Sequence, residues 1–122
     1  MKRKHTSVAE EQPLRVVLVT LDNHVSGAWS RAAHALSKQA PALQVSSHAA
    51  TEWDRDPAAL EETCAAIAKG DIVLVTMLFL EAHIEAVRGA LEARCDDCEA
   101  MICCMSAPEI MRLTRMGRFR MD

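Results

Sequence analysis

The residues best placed to do chemistry are Asp22, Asn23, His24 and Gly27. They lie in the stretch Asp22-Asn-His-Val-Ser-Gly27, directly behind the apolar run Val16-Val-Leu-Val19. An apolar, β-branched run of this kind suits a strand buried on both faces. Its end would hold Asp22 in place and present the imidazole of His24 at the rim of a sheet. Gly27 would permit a tight turn or a close backbone approach before the next helix. A carboxylate and an imidazole two residues apart can together contact a ligand or a metal, with His24 the candidate metal ligand.

The elements that must position this loop can be read along the chain. Residues 1–13 are polar, without periodicity, and are expected to form a flexible arm. Residues 14–122 are expected to form one α/β domain. Leu14–Leu21 is the first strand. Trp29, Ala32, Ala33 and Leu36 make a helical stripe within Ala28–Lys38. Leu43–His48 alternates weakly, as an edge strand would. Asp56-Pro57 opens a second helix, with Asp56 as N-cap and Pro57 in the first turn. Leu60, Cys64 and Ile67 follow at helical spacing, and Gly70 caps the end. Ile72–Val75 is a second buried strand. Glu81–Arg94 is a third helix, Met101–Met105 a fourth strand, and Glu109 to about Met116 a last helix.

The order β-α-β-α-β-α-β-α predicts a flavodoxin/Rossmann-like parallel sheet with right-handed crossovers and helices on both faces. The expected strand order is 2-1-3-4. The fourth strand is apolar on both faces, and Ile110, Met111, Leu113, Met116, Phe119 and Met121 follow it. This predicts an incomplete unit of a larger protein, or self-association through the fourth-strand edge; the plainer alternative is that the last helix and tail cover that edge.

In such a sheet ligands bind beyond the carboxyl ends of the strands, where strand order reverses. Three segments should meet there. The first strand brings Asp22, Asn23, His24 and Ser26, and the third brings Thr76, Met77, Leu78, Glu81 and His83. The fourth brings Ser106 and Glu109. Plainer roles compete at each position. Asp22 can cap a turn and Asn23 a helix. Glu81 suits a helix N-terminus. Ser106 with Glu109 has the spacing of a capping box, the reading preferred for that pair. Cys95-Asp-Asp-Cys98 is a lone C-x-x-C between a helix and a strand, which is thin support for zinc or redox chemistry. Cys103 and Cys104 point to opposite faces of a strand, and core packing is expected of them.

Composition excludes several classes. The chain has 122 residues and a net charge of −3, so no basic face suits it to nucleic acid. No run approaches transmembrane length, and no apolar segment follows Lys2-Arg-Lys4 as a secretory signal requires. Five cysteines with no export signal point to reduced thiols and a cytoplasmic protein. There is no P-loop, dinucleotide fingerprint or nucleophile elbow. No pair of carboxylates has an acid/base spacing, and no catalytic residue is identified. Thr76 stands where a receiver domain would carry its phosphorylated Asp.

Longer stretches carry a family resemblance. They are Arg15-Val-Val-Leu-Val-Thr-Leu-Asp-Asn-His24, Ala49-Ala-Thr-Glu-Trp53, Asp56-Pro-Ala-Ala-Leu60, Gly70-Asp-Ile-Val-Leu-Val-Thr-Met-Leu-Phe-Leu-Glu-Ala-His83, Met105-Ser-Ala-Pro-Glu109 and Arg112-Leu-Thr-Arg-Met-Gly117. Together they resemble the N-terminal domain of the magnesium chelatase H subunit, the large porphyrin-binding subunit, which is related to cobaltochelatase large subunits. The resemblance implies ATP-dependent insertion of Mg²⁺ into protoporphyrin IX, towards chlorophyll or bacteriochlorophyll, by a complex whose smaller subunits include an AAA+ ATPase. Known H subunits are many times longer than this chain. The implied role is therefore non-catalytic: contact with the remainder of the large subunit, or gating of the porphyrin cavity. Two alternatives stand beside it. One is a cobalamin-type tetrapyrrole module, because Asp22, His24 and Gly27 fit D-x-H-x-x-G and Thr76-Met-Leu78 approximates S-x-L. Its Gly-Gly position, however, reads Ser106-Ala107. The other is an interaction domain with no small ligand.

Overall fold

The computed structural model describes residues 13–121, so apart from Pro13 the expected arm lies outside the described residues. Strand β1 (Leu14–Thr20) leads to helix α1 (Ser26–Gln39) and strand β2 (Leu43–Ala49). A 3₁₀ turn (Ala50–Glu52) precedes α2 (Pro57–Lys69), β3 (Ile72–Thr76), α3 (Glu81–Arg94) and β4 (Ala100–Cys104). A single helical turn α4 (Pro108–Met111) then leads to β5 (Arg115–Met116) and β6 (Phe119–Arg120). The sheet runs β2-β1-β3-β4-β5-β6, and its first four strands are parallel in the expected order.

The two faces of this sheet follow from alternation along each strand. Val17 and Val19 of β1 stand beside Val73 and Val75 of β3, which stand beside Met101 and Cys103 of β4. All six are buried, and they pack with Ile67 of α2 and with Ile84, Val87 and Leu91 of α3. Full burial of one such aliphatic side chain is worth about 1.5–3 kcal/mol. The other face carries Val16, Leu18, Ile72, Leu74, Ala100 and Ile102. A right-handed β1-α1-β2 crossover places α1 on this second face. Accordingly, α1 contributes nothing to the main core and contains no fully buried residue.

Local chemistry starts and joins the elements. The Asp56 carboxylate accepts from the Ala58 backbone N–H at 3.0 Å, capping α2 with Pro57 in its first turn, as expected. Asp71 ties three strand starts together. Its side chain accepts from the Arg15 N–H, its own N–H donates to the Arg15 carbonyl, and its carbonyl accepts from Glu99 and Ala100. Gly70 is needed for space: a Cβ there would lie 2.9 Å from Val73 Cγ2 and 3.1 Å from Val17 Cγ2. Gly27 has no such constraint. It lies within the first turn of α1, where a Cβ would meet only Arg31 Nη1 at 3.5 Å, so neither a tight turn nor a close approach explains it.

The last element differs most from expectation. The helix expected over Glu109–Met116 is one turn long, and a β-hairpin follows it. Ile110 and Leu113 are buried in the core, and the Thr114 hydroxyl accepts from the Cys103 N–H and donates to the Cys103 carbonyl. Gly117, at φ +59°, then begins the two-residue turn between Met116 and Phe119, a Gly-X hairpin signal. A continuing helix would forfeit these bonds. The edge of β4 is therefore already covered, by β5 at Ala100 and Met101 and by Thr114 at Cys103. Self-association through that edge, as expected from the sequence, is corrected: its backbone groups are taken. The expected core role holds for Cys103 but not for Cys104, which is exposed.

Candidate functional site

At the end of β1 the loop closes on itself. One carboxylate oxygen of Asp22, Oδ1, accepts from the His24 backbone N–H at 3.1 Å, an Asx turn, and lies 3.5 Å from His24 Nδ1. The Asn23 side chain does not cap α1, whose N-cap is Val25 with no side-chain bond. Its Nδ2 donates instead to Glu52 Oε2 at 3.1 Å, tying the loop to the 3₁₀ turn after β2. His24 extends outward with a side chain 66% exposed. The recess beside it, bounded by Thr20, Asp22, Ser26, Ser47 and His48, has no room for a water molecule. His48 shares a hydrogen bond of 3.0 Å with Ser46 Oγ, and burial pushes its pKa down, against the nearby Glu62 and Glu52.

The ends of β3 and β4 form a second, separate group. Met77 and Met105 both hold left-handed backbone, at φ 63° and 48°, which side chains other than glycine rarely adopt. They are locked together: the Met77 N–H donates to the Met105 carbonyl at 2.8 Å, and Ala107 donates to Leu78 at 2.9 Å. Ser106 is buried between them. Its hydroxyl accepts from the Leu78 N–H at 3.1 Å and donates to the Cys104 carbonyl at 3.0 Å. Ser106 therefore does not cap α4, whose N-cap is Ala107 with no side-chain bond, and no capping box with Glu109 forms. This rigid double loop displays Phe79, Leu80 and Met105, exposed by 56%, 58% and 65%. Strain held in place by surrounding bonds is a mark of functional loops. Thr76, at the end of β3, is half-buried, and Glu81 is exposed in the first turn of α3.

His83 belongs to neither group. It is buried, edge-on to Trp53 with ring centroids 6.0 Å apart, and its Nε2 is 3.7 Å from Asp54 Oδ2. Its Nδ1 has no hydrogen-bond partner among the described residues. Trp53 in turn donates to Thr63 Oγ1 at 3.0 Å, so this corner fastens α2 and α3 to the turn after β2.

The polar groups expected to meet at one rim thus stand in three places. The apolar trio Phe79, Leu80 and Met105 fills the rim of β3 and β4. The sequence signal for it was Met77-Leu-Phe-Leu80, an apolar run continuing past a strand end where polar residues usually begin. Among the described residues no group of three or more His, Cys, Asp or Glu side chains could hold a metal ion. Cys95 and Cys98 donate weakly to the carbonyls of Glu92 and Cys95, and burial pushes both thiol pKa values up, away from the reactive thiolate. A groove of about 350 Å³ lies between β2 and α2, between Arg15, Gln44, Ser46 and Lys69. It faces the flank of β2, away from the switch point.

Fold and rim together define a class: a flavodoxin-like parallel α/β domain whose strand ends present apolar side chains on strained, cross-linked loops. The model of a family described as a domain of unknown function, DUF3479, matches residues 15–122, and the chain belongs to that family. The chain is 38% identical over 102 residues to the magnesium-chelatase H subunit of Rhodobacter capsulatus, which covers 84% of the chain and 9% of that protein. It is 40% identical over 107 residues to the magnesium-chelatase H subunit of Cereibacter sphaeroides, 88% of the chain and 9% of that protein. Identity falls to 27% over 112 residues with the chloroplastic magnesium-chelatase protein ChlH of Oryza sativa subsp. indica, 89% of the chain and 8% of that protein. The resemblance to magnesium chelatase H subunits drawn from the residues therefore stands. The chain spans about a tenth of the length of these relatives. No helix among the described residues is long and apolar enough to cross a membrane.

Proposed function

We propose that this chain is a non-catalytic contact domain of a magnesium-chelatase H subunit. In this role it meets the remainder of that large polypeptide and gates the space in which protoporphyrin IX is held for ATP-dependent Mg²⁺ insertion. The observation that carries the reading is the rim of β3 and β4. Phe79, Leu80 and Met105 stand exposed on two loops that each hold one left-handed residue, Met77 or Met105, and that are joined by hydrogen bonds at Met77, Leu78, Met105, Ser106 and Ala107. Exposed apolar side chains held rigid are suited to a protein partner, because little conformational entropy is lost on docking. Asp22, Asn23 and His24 enter as contact residues at the end of β1, and the smaller chelatase subunits, including the AAA+ ATPase, as partners of the assembled complex. The five free thiols favour a reducing, cytoplasmic setting.

Two measurements test this. Visible titration of the chain with protoporphyrin IX and with cobalamin should leave both spectra unchanged. A saturable Soret shift that His24→Ala abolishes would overturn the reading in favour of a local tetrapyrrole site. In the second, the chain replaces the matching 102 residues of the Rhodobacter capsulatus protein. Phe79→Asp with Met105→Asp should slow Mg insertion by the chimaera about tenfold, as losing one good apolar anchor does. The melting temperature of the isolated chain should not change. An unchanged insertion rate would remove the rim from the mechanism.

A further inference from the structure

A different surface of the sheet is left half-open. Alternation and register place one continuous set of apolar side chains on the face opposite α2 and α3. It runs from Ile72 and Leu74 of β3 through Ala100 and Ile102 of β4. It continues onto Met116 of β5, paired with Ala100, and Phe119 of β6, paired with Met116. Ile72, Leu74 and Ile102 are only half-buried, and Met116 and Phe119 are 39% and 49% exposed. On β3 and β4 the opposite face is closed by two helices.

Parallel sheets are almost always covered on both faces, and by helices, because βαβ crossovers leave no polar face. Here α1 lies over β2 and the flank of β1, where Leu18 is buried. The set from β3 to β6 stays half-buried to exposed, while α2, α3 and α4 send their buried residues Ile67, Ile84, Val87, Leu91 and Ile110 into the core of the other face. Three strand spacings of about 4.8 Å make this half-open strip about 14 Å wide. That accommodates one α-helix, whose diameter with side chains is about 10 Å. The chain matches only 9% of its curated relatives, so a helix from the remainder of such a polypeptide would be supplied in cis, at high effective concentration.

We infer that this face is the seat of an apolar-faced helix contributed by the rest of a chelatase large-subunit polypeptide, docked across Leu74, Ile102, Met116 and Phe119. This rests on the chelatase reading above and adds a contact separate from the rim. Cys104 supplies a reporter. It lies on the same face as Ile102, is exposed, and neighbours the buried Cys103, whose thiol burial pushes up to about 12.

The test follows maleimide labelling at Cys104 by peptide mass spectrometry, in the isolated chain and in the Rhodobacter capsulatus chimaera. Cys104 should label at least tenfold more slowly in the chimaera, and amide exchange in β4 and β5 should slow with it. A photo-crosslinker on Cys104 should join a helical segment outside the matched region. Equal labelling and exchange in both proteins would overturn the inference. So would a crosslink to a second copy, with concentration-dependent protection of the isolated chain. Protection of Cys104 with an insertion rate indifferent to the Phe79 and Met105 substitutions would keep this docking face and discard the rim. The converse result would do the opposite. Ile102→Lys guards against a folding artefact: it should lower the melting temperature of the isolated chain by only a few degrees, leaving it folded, while restoring Cys104 labelling in the chimaera.

Discussion

The two faces of this sheet carry nearly the same residue types and have opposite fates. One presents Val17, Val19, Val73, Val75, Met101 and Cys103, all buried beneath α2 and α3. The other presents Val16, Leu18, Ile72, Leu74 and Ile102, and of these only Leu18 is buried. Composition does not distinguish them. Crossover direction does: two of the three crossovers run across the sheet towards β3 and β4, and their helices share a face. Stability should therefore reside on one face, with the other left for recognition.

The strongest challenge to this contrast is a matched pair of truncations. Leu91→Ala removes a fully buried side chain from α3, and such changes cost about 2–5 kcal/mol. Ile102→Ala on the open face should cost about 1 kcal/mol or less, since half-exposed surface has less to lose. Urea denaturation of the isolated chain measures both. Equal losses would mean that the open face is packed as tightly as the closed one. Gly70→Ala probes the closed face by crowding. Its Cβ would press on Val73 and Val17, and overpacking costs about 1–3 kcal/mol. Gly27→Ala, with no close contact and helical backbone, should be neutral or stabilising by up to about 1 kcal/mol.

The smallest effect concerns pH. His48 lies in register with Val19, so it belongs to the closed face at its β2 margin. Burial lowers its pKa in the folded chain, so the unfolded chain binds its proton more readily. The unfolded chain therefore holds more protons as pH falls through the ordinary histidine value near 6.5, and stability falls there, levelling off below the folded pKa. Thermal melts between pH 7.5 and 5 should show this slope shrinking in His48→Gln. An unchanged slope would assign it to other groups.

Much of this arrangement was legible in the residues. Buried strands of Val, Ile and Leu, the Asp56-Pro57 start of α2 and the order β2-β1-β3-β4 all follow from local pattern and crossover handedness. The hairpin at the end did not: Ile110, Leu113 and Met116 mimic a helical stripe. Only the Gly117-Arg118 pair between Met116 and Phe119 marked a turn. The loop after β1 was legible as a polar strand-end loop. Its neighbours were not, since Asn23 meets Glu52 from a turn 29 residues further along. The capping role read for Ser106 failed because its hydroxyl finds the Leu78 and Cys104 backbone, groups that the sheet alone brings near.

By itself, then, the sequence determined the kinds of element up to β4, their order and the family, because hydrophobic period and cap chemistry act within a few residues. Tertiary structure alone decided which apolar residues are core and which are surface. Ile67 and Ile102 are the same residue type, one sealed and one half-open. Burial depends on what the crossovers lay across each face, and that is a property of the assembled sheet.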